Sequence, residues 1–170
     1  MLKVKKKKLA ISFVLLISSI QTMGQDINPN SCISNNPKLG DSAYWANNSI
    51  KLFEQKKYED AIESVDACFN QWAPEAVELQ KTFNKENIKL PPSGRVTRIE
   101  KNRIHQNYVI NDVSMALWVK AVSLEALGKI EYSKKIYSYC IFLTHGRAWD
   151  PQGWFWNPSS DCVRKGRKLI

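Results

Sequence analysis

The sequence has few of the residue groupings that mark metal, nucleotide or catalytic sites. It contains only two histidines, His105 and His145, and neither belongs to a metal-binding or catalytic-triad motif. It has no glycine-rich phosphate loop, and none of its four cysteines forms the C-x-x-C pair of a zinc site. We therefore predict no metal and no cofactor, a solvent-facing or structural role for His105, and a helix-capping role for His145.

The sequence also lacks a clear pair of catalytic carboxylates. Glu59, Asp60 and Glu63 would share one face of a helix, an arrangement that can suggest glycoside cleavage. The neighbouring Lys56 and Lys57 instead indicate a solvated, charged face. Catalysis by a free thiol is disfavoured because the number of cysteines is even. We predict that the protein is not an enzyme.

The apolar run near the N-terminus, residues 9–20, is too short to span a bilayer comfortably as a helix. It follows a block of lysines and precedes small and polar residues, a pattern typical of a secretory signal peptide. Thr22 and Gly24 supply small residues for signal peptidase, so we predict a signal peptide over residues 1–24. No cysteine follows this site directly, since Cys32 lies further on, and we therefore predict no lipid anchor. A transmembrane anchor is the alternative. The protein is expected in the periplasm or outside the cell.

Positive charge is concentrated at the two ends of the chain. Five of the nine net positive charges belong to the lysines of the leader, which leaves about +4 on the mature chain. The basic tail, residues 163–170, carries Arg164, Lys165, Arg167 and Lys168. Such a tail could weakly contact an anionic membrane surface, although a solvated terminus is the simpler interpretation. No nucleic-acid-binding motif accompanies this charge, so nucleic acid is not an expected partner.

Two stretches of the mature chain have the periodicity of amphipathic helices. In residues 41–72 apolar side chains recur three and four positions apart, with a polar break at residues 55–57. Residues 112–146 repeat this pattern around Gly128, which we expect to end a helix by adopting a positive φ. Each stretch is thus predicted to form a helical hairpin. The candidate N-caps of the second stretch are Asn111, Asp112 and Ser114.

The two hairpins resemble tetratricopeptide repeats. The matching positions of the first are Trp45, Leu52, Tyr58, Ala61 and Cys68, followed by Pro74 near the usual terminating proline. Those of the second are Leu124, Gly128, Tyr137 and Cys140, with Ser133 in place of the small alanine. In this pattern small residues let two helices approach closely while large ones fill the adjoining groove. The resemblance covers about 70 residues and implies an all-α fold of about five to seven helices over residues 25–162.

The segment between the hairpins, residues 74–111, departs from the repeat. We predict one helix beginning at Pro74 and a break at residues 89–96, whose sequence is KLPPSGRV. A second helix would follow, started by Thr97 and Glu100 as a capping box. Together these would form an irregular third hairpin that helps to complete the core.

The even number of cysteines in an exported protein predicts disulfides. In an antiparallel hairpin the end of the second helix lies beside the segment before the first, which favours a Cys32–Cys68 pair. Cys140 would reach Cys162 if the C-terminal segment folds back. The competing pair, Cys68 with Cys140, would join equivalent positions of two hairpins that need not face each other.

The C-terminal segment, residues 145–162, concentrates aromatic side chains among turn-forming residues. Pro151, Gly153 and Pro158 prevent a continuous helix. We expect the chain to lay its rings across the last helix as an irregular cap, whereas an exposed subset would serve as a ligand site. The rings are Trp149, Trp154, Phe155 and Trp156. Residues 111–158, with their WDPQGWFW run, also resemble a group of tetratricopeptide-like exported bacterial proteins, which implies a fold rather than a reaction.

These patterns favour an exported, non-enzymatic helical module that binds a protein or peptide in a groove between its hairpins. The candidate contact residues are Tyr44, Asn48, Lys51, Trp118, Lys120, Arg147 and Trp154. Two alternatives stay open: a protein that binds cell-wall glycan or a small ligand through the tryptophan segment, and an immunity or inhibitor protein that neutralises an exported toxin. The identities of neighbouring genes would separate the last case from the others.

Overall fold

The computed structural model describes residues 32–170, so the predicted signal peptide and its cleavage site lie outside the described residues. This part of the chain is all-α apart from one short β-hairpin, as the sequence predicts. Its elements are α1 (Asp41–Glu54), α2 (Tyr58–Lys85), α3 (Arg98–Gln106), α4 (Tyr108–Ala126), α5 (Ile130–Phe142), β1 (Ala148–Asp150), β2 (Trp154–Trp156), α6 (Pro158–Gly166) and a final 3-10 turn (Arg167–Leu169). The six α-helices of residues 32–170 agree with the expected number.

Helix α4 is the centre of the molecule. It packs against α1, α2, α5 and α6, and most of its residues are buried. Its sequence accordingly has apolar or small residues all round rather than along one stripe, the pattern of a helix surrounded by protein. The other long helices bury one face against it.

The first hairpin joins α1 to α2 through the predicted break at residues 55–57, where Lys56 has a positive φ of 61°. Trp45 is fully buried, and its Nε1 donates a hydrogen bond to the Ser64 carbonyl of α2 at 2.7 Å. Ala61 is also fully buried, and its small side chain lets the two helices approach closely. The first hairpin therefore forms as predicted.

The second hairpin turns at Gly128, whose φ of 70° confirms the predicted helix end. The Ser133 hydroxyl donates to the Ala121 carbonyl at 2.9 Å, so the buried serine has its polar group satisfied. Tyr137 is buried at the same interface, and its hydroxyl donates to the Glu125 carboxylate. Burial and this carboxylate both raise the pKa of Tyr137.

The predicted helix boundary at Pro74 is wrong, because α2 continues through this proline as one helix of 28 residues. A proline inside a helix leaves the carbonyl four residues earlier without its partner. Here both Pro74 and Asn70, which carries that carbonyl, are exposed, so water can satisfy the freed group. Ala73 and Ala76 pack into the core on either side, which holds the helix together across the proline.

Residues 74–111 do not form the predicted third hairpin. The first part of this segment, as far as Lys85, belongs to helix α2. Its second helix, α3, is separated from α4 only by Asn107. The capping box of Thr97 and Glu100 at the start of α3 is confirmed. What lies between α2 and α3 is an extended loop, residues 86–97, that crosses the end of the molecule.

The predicted caps of α4 are also wrong, because the helix begins at Tyr108, before Asn111, and its next two residues, Val109 and Ile110, are buried. The side chains of Asn111, Asp112 and Ser114 instead form other hydrogen bonds. Asn111 Nδ2 donates to the Ile104 carbonyl at 2.7 Å, and the Ser114 hydroxyl donates to the Asn111 carbonyl at 2.9 Å. Asp112 accepts a hydrogen bond from the Ser42 hydroxyl of α1 at 2.7 Å.

Two disulfides fasten the ends of the described chain. Cys32, before α1, is bonded to Cys68 of α2, and Cys140 of α5 is bonded to Cys162 of α6. These are the two pairs expected from the sequence, and they fit an exported protein. No helix in residues 32–170 is long and apolar enough to cross a membrane.

The C-terminal cap is more regular than the sequence suggests. Strands β1 and β2 form an antiparallel hairpin that turns at Gly153, whose φ is 99°. Gly94 of the loop before α3 pairs with Phe155 through two backbone hydrogen bonds of 2.7 and 2.9 Å. The boundary expected after Cys162 falls inside α6, so the residues of the basic tail continue that helix and its 3-10 turn.

Candidate functional site

A row of four aromatic side chains crosses one side of the helical body. Its members, hereafter the aromatic row, are Tyr58, Phe53, Trp118 and Trp156. Neighbouring ring centroids lie 5.7, 5.7 and 5.4 Å apart in that order, and the rings meet tilted or edge to face, as aromatic pairs prefer. All four residues are only partly buried. The row therefore connects α2, α1, α4 and β2 and keeps part of each ring at the surface.

Trp118 is the ring at which the helical body meets the C-terminal cap. Its Nε1 donates a hydrogen bond to the Asp161 carboxylate of α6 at 2.7 Å. Arg164, one turn further along α6, forms an ion pair with the same carboxylate. These contacts fix the orientation of the indole, so the centre of the aromatic row is arranged before any partner arrives.

The C-terminal aromatic segment divides its rings between core and surface. Phe155 is 1% exposed and packs against the rings of Trp149 and His105. Trp156 is partly buried against the helical body. Trp149 and Trp154 are 42% and 36% exposed. Phe155 and Trp156 therefore serve as the cap, while the other two rings remain partly exposed.

A lysine covers one of these exposed rings. Lys101 Nζ lies 4.0 Å from the centroid of the Trp149 ring, close enough for a cation–π interaction. Partial burial, with a further contribution from the charge of Lys101, lowers the pKa of His105. His105 is exposed and touches Phe155 at its inner edge, which is compatible with the solvent-facing or structural role expected for it.

The turn after α5 is fastened to the loop before α3 by a buried arginine. Arg147 is 4% exposed, and its guanidinium donates hydrogen bonds to the carbonyls of Pro91, Pro92, Thr144 and Gly146. Burial lowers the pKa of Arg147 to about 10, so the group is still charged at neutral pH. Its side chain holds the loop in place and offers little surface to a partner.

His145 makes a second connection between the same two segments. Its Nε2 lies 3.0 Å from the Ile88 carbonyl, and its Nδ1 lies 2.9 Å from Nε2 of Gln80. A carbonyl can only accept, so Nε2 carries the proton and Nδ1 accepts from the Gln80 amide. Gln80 Oε1 in turn accepts from the His145 backbone N–H at 3.0 Å. His145 thus bonds to the loop rather than capping a helix end, which corrects the prediction.

Asn111 completes this set of buried polar side chains. Its Oδ1 accepts from the Arg147 backbone N–H at 2.8 Å, while its Nδ2 is bonded to α3. The polar clamp is defined here as Gln80, Asn111, His145 and Arg147. These four residues satisfy backbone groups of segments that have no regular partner, as buried backbone atoms require.

Three of the residues predicted to line a groove are buried. Tyr44 and Asn48 of α1 are 8% and 3% exposed, and Arg147 belongs to the polar clamp. Asn48 Nδ2 is buried with no hydrogen-bond partner among the described residues. These side chains therefore present little surface to a partner.

The other four predicted contact residues lie on α1, α4 and β2. Lys51 is exposed on α1, and Lys120 forms an ion pair with Asp66 of α2. Trp154 is exposed on β2. Trp118 is the one member of the predicted set that the structure places in the aromatic row.

Sequence reasoning missed Phe53, Tyr58 and Trp156, which join Trp118 in the aromatic row. The first two stand on either side of a three-residue turn, so their closeness could have been inferred from the hairpin. The position of Trp156 depends on the fold of the cap, for which the sequence carries no comparable signal.

Comparison of this chain with protein-family models, curated proteins and solved structures gave no match. A function for the aromatic row must therefore be inferred from its geometry.

Proposed function

We propose that the protein is an exported, non-enzymatic helical module that binds a segment of a protein partner along the aromatic row. The observation that carries this proposal is the row itself, four partly exposed rings in mutual contact across α2, α1, α4 and β2. Contiguous apolar surface is uncommon on monomeric proteins and often marks an interaction site. Aromatic residues dominate the binding energy of many interfaces, and binding by ring faces requires no catalytic group or cofactor.

The packing order of the helices supports a tetratricopeptide-like arrangement. Helices α1 and α2 form one hairpin, α4 and α5 form the next, and α4 packs against both helices of the first. In such an array the first helix of each hairpin contributes to the inner face. Phe53 of α1 and Trp118 of α4 come from these two helices, which supports the assignment of the aromatic row to a binding face.

The two disulfides support a location in the periplasm or outside the cell. Both bonds join segments that are far apart in sequence, with separations of 36 and 22 residues. Such bonds persist in oxidising compartments and are rare where thiols are kept reduced. The N-terminal sequence supplies the export signal in this proposal.

Site-specific photo-cross-linking in the producing cells tests the proposed surface. A benzoyl-phenylalanine replaces Phe53 in one variant and Tyr132 in another. Tyr132 is the matched control because it is an aromatic residue of α5, 69% exposed and outside the row. Each variant is irradiated in intact cells, and cross-linked species are identified by mass spectrometry.

We expect the Phe53 variant to yield one protein adduct that is absent from the Tyr132 variant. Trp118→Ala, introduced into the Phe53 variant, should then reduce the adduct by at least about fivefold, since removing a central hot-spot aromatic costs more than about 1 kcal/mol. Equal adducts from both positions, or none from either, would contradict binding along the row.

A second candidate function has its own support. Trp149 and Trp154 are exposed at the C-terminal hairpin, and exposed indoles of this kind can stack on sugar rings. If soluble cell-wall glycan fragments bind the oxidised protein and Trp154→Ala abolishes that binding while Trp118→Ala does not, glycan binding replaces the protein-binding proposal.

A further inference from the structure

A cleft of about 560 Å³ opens at the end of the molecule opposite the α1–α2 turn, beside the polar clamp. It lies between the C-terminal end of α2, the loop of residues 86–97 and α3. Its lining residues are Phe83, Ile88, Lys89, Leu90, Pro91, Pro92, Glu100, Arg103, Ile104, Gln106, Asn107 and His145. None of them belongs to the aromatic row, so this cleft is a separate feature.

One wall of the cleft is the loop of residues 86–97, and hydrogen bonds hold this loop in place. The carbonyls of Ile88, Pro91 and Pro92 are held by His145 and Arg147, both of which are buried. Ligand sites are usually formed before the ligand binds. The polar clamp therefore keeps the loop at a set distance from α3 and gives the cleft a defined shape.

The cleft is lined by both polar and apolar side chains, and its apolar part is formed by Phe83, Ile88, Leu90 and Ile104. Ile104 is 2% exposed, and the rings of Phe83 and His145 lie 4.9 Å apart beside it. On the loop side, Ile88 and Leu90 are 45% and 51% exposed although both line the cleft. Large aliphatic side chains left open around a concave space indicate a cleft that an apolar group would complete.

The rim of the cleft carries positive charge that has no ion-pair partner among residues 32–170. The Glu100 carboxylate accepts hydrogen bonds from the backbone and hydroxyl of Thr97, at 2.9 Å each. These hydrogen bonds lower the pKa of the Glu100 carboxyl, and the charges of Arg103 and Lys89 nearby add smaller contributions in the same direction. The lysine and the guanidinium are thus left to face solvent at the mouth.

We propose that this cleft binds a small amphiphile that has an aliphatic body and a single carboxylate head, the chemistry of a medium-chain fatty acid. The chain would lie against Ile88, Leu90 and Ile104, and the head would pair with Arg103 and Lys89 at the rim. The volume of about 560 Å³ falls in the range of sites that enclose small ligands. Arginine suits this role because its fork of N–H groups matches a carboxylate.

Calorimetric titration of the oxidised protein with decanoate, below its critical micelle concentration, tests the proposal. Decyltrimethylammonium serves as a probe with the same chain and the opposite charge. Arg103→Gln removes the proposed head contact. Arg95→Gln is the matched control, because Arg95 is an exposed arginine of the adjoining loop, residues 86–97, and does not line the cleft.

We expect one decanoate to bind, with affinity about tenfold lower in Arg103→Gln and within about twofold of the parent in Arg95→Gln. Decyltrimethylammonium should bind at least about tenfold more weakly than decanoate. Nuclear Overhauser effects should connect the decanoate methylenes to the methyl groups of Ile88 and Ile104. Equal binding of both amphiphiles, contacts with Trp118 instead of Ile104, or no decanoate binding at all would each overturn the proposal.

Discussion

The helical body and the seam beside the cleft are held together by different forces. In the body, α1, α2, α4 and α5 pack through buried apolar and small side chains around α4. In the seam, the loop of residues 86–97 meets the turn of residues 143–147 through the polar clamp. Helices satisfy their own backbone groups, so their contacts can be apolar. A loop has no such internal pairing, and side chains must supply it.

Because of this difference, the helical body and the seam should tolerate different kinds of substitution. An apolar body tolerates changes that conserve volume. The seam is held by hydrogen bonds that side chains of the polar clamp donate to backbone carbonyls. A substituted side chain of similar volume that cannot donate these hydrogen bonds should therefore destabilise the seam. The four predictions that follow test this distinction, beginning with the change that should cost most.

Trp45→Ala should destabilise the body by about 3–5 kcal/mol. Trp45 is fully buried, and the change removes both its packing and its hydrogen bond to Ser64. The free energy of unfolding from urea denaturation of the oxidised protein measures the loss. A loss below about 1 kcal/mol would show that the first hairpin does not depend on this ring.

Asp112 is a polar exception inside the body, and it should make stability depend on pH. Burial raises the pKa of Asp112 from 3.8 to about 7 in the folded protein, while the hydrogen bond from Ser42 acts in the opposite direction. The folded state therefore holds this proton more tightly than the unfolded state. The contribution of protonated Asp112 to the free energy of unfolding is therefore fully present below about pH 4, decreases as the pH rises towards 7, and is lost above about pH 7.

The expected slope attributable to Asp112 is at most about 1.4 kcal/mol per pH unit in that window. Asp112→Asn keeps an acceptor for Ser42 and removes the titration, so the variant should lose this part of the slope. Urea unfolding of both proteins between pH 4 and pH 8 gives the difference. Parallel curves for the two proteins would mean that Asp112 titrates alike in both states.

Arg147→Leu should destabilise the seam by about 1–3 kcal/mol, because the carbonyls of Pro91, Pro92, Thr144 and Gly146 lose their donors beside a buried side chain. Hydrogen exchange should quicken in residues 143–157 and leave the first hairpin unchanged. Arg147→Lys should rescue little, since an ammonium cannot reach the set of carbonyls that the guanidinium spans. Full rescue by lysine would show that charge alone holds the loop.

The smallest effect is expected at the surface of the cap. Trp154→Ala should cost less than about 1 kcal/mol, because this ring is 36% exposed. Trp156→Ala should cost more, about 2 kcal/mol, because its ring packs against Trp118. Thermal denaturation of the two variants side by side provides the comparison. The reverse order would assign the cap to Trp154.

The parts of the fold that could be predicted are those governed by local pattern. The turn at residues 55–57, the end of α4 at Gly128 and the capping box of Thr97 each follow from short-range rules of periodicity, glycine conformation and capping. Both disulfide pairs followed from the expected hairpin geometry. These features depend on residues that are close in sequence or on one simple tertiary relation.

The parts that could not be predicted depend on distant packing. Pro74 was expected to start a helix, but the burial of Ala73 and Ala76 keeps α2 continuous. Arg147 was expected in a groove, whereas its donors meet carbonyls of a loop 56 residues away. The seam arises from such long-range contacts, and so does the contact between Trp118 and Trp156 in the aromatic row, so no local sequence pattern predicts either of them.

The bridge between Gly94 and Phe155 also bears on how the protein behaves at high concentration. The WFW strand β2 is apolar and consists of residues that favour β-structure, and an unpaired edge of such a strand offers backbone groups with which another chain can pair. At its centre, the backbone N–H and C=O of Phe155 are both occupied by Gly94, and β1 covers the opposite edge. The loop before α3 therefore blocks the edge of β2 to which a strand of another chain could add, and this helps the folded protein to resist aggregation.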